Sequence, residues 1–209
     1  EVDSNVPPAL QWRDLKTVVK PDYIYLNFIT GRDITFPTFQ RFLQRYPAPV
    51  YLDLHMHLYG IRKNGLRYLR RAKDWWQWIS ISTYLQLNQQ ECEVLSGNTF
   101  ASEGQMAEYC ADLFTFRQLQ VVLLTFAEQG SLIMYRDGSA IGYIRQWPDR
   151  IQKEGDVTGC GDVFGSAFFA RYVRTKNMNS AARFANKMAG VKAGMPGSRY
   201  LFALKEYMA

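Results

Sequence analysis

Apolar and polar positions alternate along the 209 residues in short segments of two kinds. Runs rich in leucine, β-branched and aromatic residues fall at residues 23–27, 50–54, 79–87 and 121–125, short enough to be buried strands. Between them apolar residues recur every three or four positions around residues 36–45, 66–72, 91–95 and 107–116, the period of a helix with one buried face. Residues 132–135 and 141–145 flank Asp137-Gly138, a dipeptide suited to a two-residue hairpin turn. Two further helical patterns cover residues 163–175 and 180–192. Strands alternating with helices predict a layered α/β fold, a mostly parallel sheet with helices on both faces and right-handed crossovers. One domain over residues 1–209 is expected. Ligands of such sheets gather at the carboxyl ends of the strands, and Asn88, Thr125 and Asp162 each follow a strand-like segment.

Composition narrows the class. Hydrophobic residues make up 47% of the chain, enough for one sizeable core and too many for a disordered chain. No apolar run reaches the ~18 residues of a membrane span, so no membrane partner is expected. The start, Glu1-Val2-Asp3-Ser4-Asn5, has neither an initiator methionine nor the character of a signal peptide, so a trimmed chain is expected. Cys92, Cys110 and Cys160 are odd in number and lack metal-type spacing; they read as reduced thiols of a cytoplasmic protein. The net charge of +6 would help attract a nucleotide.

The densest chemistry lies in Asp156-Val157-Thr158-Gly159-Cys160-Gly161-Asp162. Gly159 and Gly161 let the backbone turn tightly and approach a ligand. Val163, Phe164, Ala167 and Phe168 then begin an apolar helical face. The unpaired N–H groups at such a helix start form an anion site. Asp162 either caps that helix or serves as a general base beside a phosphate cradle. Upstream, Asn88-Gln89-Gln90-Glu91 opens another helix. It is open to two readings, a capping box or a phosphate and magnesium pair.

The segment from Asp156 to Phe169 resembles the C-terminal signature of the ribokinase-like (PfkB) carbohydrate kinases. The resemblance implies ATP-dependent phosphorylation of a hydroxyl on a sugar, nucleoside or related small molecule. It implies that Asp162 is the catalytic base. Gly159, Cys160 and Gly161 would form the anion hole, with Cys160 where alanine is usual. Asn88 would reach the nucleotide phosphates, and Glu91 would organise Mg2+ through water. Residues 121–130 resemble the family's nucleotide loop, implying roles for Thr125, Ala127 and Gly130, with Ala127 where the first glycine is usual. If that position needs positive φ, alanine costs about 1 kcal/mol. Asn186 would sit near the adenine. Asp156, Thr158 and the loop at residues 193–198 resemble a site for a monovalent cation such as K+. The nucleotide-binding half would span about residues 80–209. Family members are longer, and their N-terminal glycine motifs and β lid find no match before Val6, so this chain alone is expected to turn over poorly. A sheet edge exposed in this way would favour a homodimer. The second reading is a kinase-fold binding or scaffold protein that no longer catalyses. No residue here chooses the acceptor.

Two other stretches stand out. His55 and His57 form a His-x-His pair with Asp53 in step, which is compatible with a metal, yet no distant ligand suggests itself, and a solvent-facing loop near the cleft is the expectation. Residues 62–78 interleave basic residues with aromatics. Such a pattern either holds single-stranded nucleic acid or forms a helix with a solvated basic face and a tryptophan anchor. The expectation is the helix, with no nucleic-acid partner.

Overall fold

A computed structural model describes residues 7–148 and 155–207; the start through Val6 lies outside them. The chain divides into two compact units, residues 1–122 and 123–209. Six strands follow the order β1-β2-β5-β6-β7-β8, and β3 and β4 make a separate two-stranded sheet.

The first unit begins with α1 (Trp12–Leu15), β1 (Ile24–Asn27), α2 (Phe36–Arg45) and β2 (Val50–Asp53). A 3-10 turn, His55–Leu58, leads into β3 (Tyr59–Ile61) and β4 (Arg67–Leu69). Then come α3 (Trp75–Ser80), β5 (Tyr84–Asn88), α4 (Gln89–Ser96) and α5 (Glu103–Asp112). β1, β2 and β5 are parallel, with Asn27 opposite Asp53 and Asp53 opposite Gln86. Every residue of β2 is buried, as expected for a parallel strand covered on both faces. Thr35 caps α2 by accepting from the Thr38 N–H, and Pro37 follows in the first turn, where its missing donor does no harm. α2 buries Phe39 and Phe42.

Trp78 anchors this core. Its ring is almost wholly buried, with Phe28 and Phe36 edge-on at 4.9 and 5.1 Å. Its indole N–H donates to Asp74 Oδ2 at 3.1 Å, and His57 Nε2 lies 2.9 Å from Asp74 Oδ1. The expected tryptophan anchor is therefore present, but the helix expected at residues 66–72 is not. β4 pairs with β3 around Asn64-Gly65, and Gly65 takes φ +80. That dipeptide is a strong hairpin signal and outweighs the helical spacing of Leu66, Leu69 and Arg70. The strand expected from residue 79 begins only at Tyr84, because Ile79 belongs to the buried face of α3 with Trp78.

The second unit holds most of β6 (Val121–Thr125), a 3-10 turn at Ala127–Gln129, β7 (Ser131–Asp137) and β8 (Ala140–Gln146). β7 and β8 are antiparallel about the expected turn, where Gly138 has φ +62. α6 (Cys160–Thr175) and α7 (Met178–Ala193) pack against each other. α6 buries Phe164, Phe168 and Phe169, and α7 buries Ala181, Ala182 and Ala185. Among the described residues no helix is long and apolar enough to cross a membrane.

Partial burial alone would push the Asp74 carboxyl up. The His57 imidazole and the hydrogen bonds from Trp78 and His57 outweigh that and hold it below its usual 3.8. With a lowered folded-state pKa, the stabilisation is complete above 3.8 and is lost as pH falls through the folded value. Asp74→Asn should therefore unfold at a lower temperature than the parent at pH 7, and the two should converge in acid below 3.8. Thermal melts by circular dichroism from pH 2 to 7 read both.

Candidate functional site

In the first unit, two carboxylates lie at the carboxyl end of the parallel strands. Asp53 closes β2 and is only 4% exposed; Glu91, in the first turn of α4, is 3% exposed. The Tyr51 hydroxyl donates to Gln86 Oε1 at 2.7 Å, and Gln86 Nε2 donates to Asp53 Oδ2 at 3.1 Å. Burial, then the charges of Tyr25 and Asp53, push the Tyr51 phenol well above its ordinary value, so it stays a donor. Asn88 caps α4: its Oδ1 accepts from the Glu91 N–H, and Glu91 Oε2 accepts from the Asn88 N–H, each at 2.9 Å. The capping box is thus real and occupies only one oxygen of Glu91. The other, Oε1, lies 3.4 Å from His55 Nδ1. His55 holds φ +26, a backbone conformation that side chains rarely adopt and that functional sites tolerate. His57 turns instead to Asp74, so the expected His-x-His pair is split. Among the described residues, Asp53, His55 and Glu91 form a metal-compatible group, with donor atoms within 4.8 Å of one another.

In the second unit, Thr125 ends β6 and the chain turns through residues 126–130. The Phe126 N–H donates to the Gly130 carbonyl at 2.8 Å, and the Gly130 N–H donates back to the Ala127 carbonyl at 3.1 Å. Ala127 has φ +48, so the position does require the left-handed conformation. Gly130 has φ +90, and a Cβ there would run into the Gln146 carbonyl oxygen.

α6 starts at Cys160, three residues earlier than its apolar face, because Gly159 takes the left-handed cap position at φ +80. Asp162 is exposed in the first turn, and its Oδ2 comes within 3.7 Å of where a Cβ on Gly159 would stand. The Cys160 N–H donates to the Val157 carbonyl at 3.1 Å, so that amide is engaged within the turn. Asp156 Oδ1 accepts from the Thr158 N–H at 2.9 Å. The hydroxyl and N–H of Thr158, and then the Lys192 ammonium, hold the Asp156 carboxyl below the usual range. Lys192 is fully buried and donates from Nζ to the Asp156 carbonyl at 2.7 Å. A cationic group therefore already stands beside the residues expected to hold a monovalent ion. Asn186 Nδ2 lies 3.1 Å from the Ser131 hydroxyl.

Residues 68–203, more than half of the chain, match the family model of the pfkB family carbohydrate kinases. The chain belongs to the pfkB family of carbohydrate kinases. It is 33% identical over 125 residues to a ribokinase of Bacillus subtilis (strain 168), covering 56% of this chain and 38% of that protein. The chain spans about a third of the length of the curated relatives it matches. Its fold is similar to that of a pyrophosphate-dependent kinase in the ribokinase family complexed with a pyrophosphate analog and myo-inositol. There the TM-score is 0.76 at 19% identity, over 97% of this chain and 69% of that one. It is also similar to Arabidopsis thaliana ribokinase complexed with ribose and ATP, with TM-score 0.64 at 21% identity, over 95% of this chain and 60% of that one. The mostly parallel sheet with helices is the fold of this pfkB chain and of these neighbours.

Within the first unit, then, the structure brings Asn88 and Glu91 together and sets beside them Asp53 and His55, which the sequence had grouped with His57 instead. Within the second it places Asp162 beside Gly159, and Asp156 beside Thr158. It also adds Lys192, hidden in the sequence as one more cation on a helix. Cys92, Cys110 and Cys160 form no disulfide, and the Cys92 and Cys110 sulfurs lie 3.7 Å apart. Relieving the left-handed alanine by Ala127→Gly should raise stability by about 1 kcal/mol. Gly130→Ala should lower it by at least about 1–3 kcal/mol, through strain and the clash. Denaturant unfolding of both variants beside the parent reads the opposite signs.

Proposed function

We propose that this pfkB chain belongs to an enzyme that transfers a phosphoryl group from ATP to a hydroxyl of a sugar or related small molecule. The observation that carries the reading is Asp162, an exposed carboxylate in the first turn of α6, directly after the left-handed Gly159. A carboxylate there stands beside the helix start, where it can accept a proton from a hydroxyl brought to it. In the step proposed, Asp162 takes the proton of the acceptor hydroxyl as its oxygen attacks the γ-phosphorus. The bond from that phosphorus to the β–γ bridging oxygen breaks, and ADP leaves.

The amides of Gly159, Cys160 and Gly161 would face the negative charge on the transferring group; the Cys160 amide would first have to leave Val157. Asn88, Thr125, Ala127, Gly130 and Asn186 would hold the nucleotide. Glu91 would help hold a divalent cation, which would offset the charge of the phosphates. Asp156 and Thr158 would carry the monovalent-cation role, beside the Lys192 ammonium. Two observations favour the second reading, a kinase-fold binding protein that no longer catalyses. Ala127 is strained where the loop turns, and the Cys160 amide is committed to Val157.

The test is a coupled assay of the purified protein with ATP over a panel of sugars, polyols and nucleosides, with pyrophosphate as an alternative donor. ATP-dependent product should form, and Asp162→Asn should cut kcat by about 10²–10⁴-fold, the worth of a general base. A near-normal rate in Asp162→Asn sinks the mechanism. Turnover with pyrophosphate alone would remove ATP from the reading. Nucleotide binding without turnover over the whole panel would favour the binding protein.

A further inference from the structure

A lysine is almost never taken fully out of water, yet Lys192, in the last turn of α7, is wholly buried. Its bond is to a backbone carbonyl. Nζ donates to the Asp156 oxygen at 2.7 Å, and the Asp156 carboxylate is close enough to feel its charge. A cation seated on backbone carbonyl oxygen is the arrangement by which proteins hold K+. An ammonium matches K+ in charge and approaches oxygen to about the same separation.

The surroundings call for a positive charge. Gly155 lies so close to the end of α7 that a Cβ on it would strike the Ala193 carbonyl oxygen. On the other side, a Cβ on Gly197 would stand 3.9 Å from Asp156 Oδ2. The Asp156 carbonyl and carboxylate thus meet the negative end of the α7 dipole, which a cation offsets. Asp156, Thr158 and the loop at residues 193–198 are also the residues that the sequence marked for a monovalent ion. They do not fit one here. The Asp156 carbonyl is taken by the Lys192 ammonium, and Asp156 Oδ1 accepts from the Thr158 N–H at 2.9 Å. A second monovalent cation brought to the same oxygens would be repelled by the first.

We propose that the Lys192 ammonium is itself the monovalent cation of this turn, so that the protein needs no K+. Lys192 is then a positioning residue. It sets the Asp156–Thr158 segment, and through it Gly159 and the start of α6 that carries Asp162. The consequence for turnover rests on the kinase reading; the consequence for folding does not, and the two are measured separately.

The experiment is a set of circular dichroism melts of the parent, Lys192→Met and Lys192→Ala in KCl, NH4Cl and choline chloride at equal ionic strength. The parent should melt at the same temperature in all three salts. Lys192→Met keeps most of the packing and loses the charge, and it should melt below the parent in every salt. Lys192→Ala leaves room for an ion. K+ and NH4+ should raise its melting temperature by at least about 2–4 °C over choline, saturating as the salt is increased. A lysine that only filled space would give no such ion-selective rescue. In the coupled assay the parent's rate should be the same in K+ as in choline, and the rate lost in Lys192→Ala should return with K+ or NH4+. Absence of turnover in every salt counts against the kinase reading alone, and the melts still decide on the cation. A parent stabilised by K+ over choline would overturn the proposal. So would a Lys192→Met variant as stable as the parent, or a folded Lys192→Ala indifferent to the cation. Should Lys192→Ala fold in none of the salts, Lys192→Ser provides the same comparison, and the parent and Lys192→Met remain decisive.

Discussion

Two carboxylates kept almost entirely out of water, Asp53 and Glu91, set the terms for the first unit. An isolated buried charge is costly enough that a protein must either protonate it or surround it with donors. Here the donors are built from the sheet and the helix start. The parallel register sets Gln86 beside Asp53, and Tyr51, two residues before Asp53 on β2, completes the line through its hydroxyl. The α4 N-terminus supplies backbone N–H groups and a favourable dipole for Glu91. Each element is thereby held in place by the polar group it must satisfy. A slip of one residue between β2 and β5 would strand both carboxamide and carboxylate, since their sides alternate along a strand.

The second unit turns on left-handed backbone positions rather than on buried carboxylates. Gly159 in the left-handed region starts α6 without a side-chain cap, and Asp162 folds back over that start. The residues just before are fastened from the other side by Lys192, whose ammonium reaches the Asp156 carbonyl from the last turn of α7. A fully buried lysine is tolerable only with such partners. Its position ties the loop carrying Asp156 to the end of α7. Ala127 shows the same demand met less comfortably, a left-handed turn occupied by a residue with a Cβ.

Much of the layout was open to the sequence alone, for local reasons. The strands at Ile24–Asn27, Val50–Asp53 and Val121–Thr125, the helix at Phe36–Arg45 and the hairpin about Asp137-Gly138 are short segments whose own apolar runs and turn residues decide them. So is the glycine turn that starts α6, because Gly159 takes the left-handed conformation that glycine adopts most readily. The hairpin of Tyr59–Ile61 with Arg67–Leu69 was also written locally, in Asn64-Gly65, but a helical spacing of leucines lay across it. Trp75, Trp78 and Ile79 similarly continued an apolar run into what is really the strand from Tyr84.

What the sequence could not disclose is which distant polar groups meet. His55 and His57 look like a pair two residues apart. The 3-10 turn separates them, sending one to Glu91, thirty-six positions on, and the other to Asp74 beneath Trp78. Lys192 looks like any lysine near a helix end until the fold buries it against Asp156. The sequence by itself determined the α/β order of elements, the kinase-like family and the glycine turn with its aspartate, since these follow from neighbours along the chain. Only the tertiary structure decided the Asp53–His55–Glu91 cluster and the Lys192 tether. Strand register and helix packing set which side chains lose water together, and that choice is made between residues far apart in sequence.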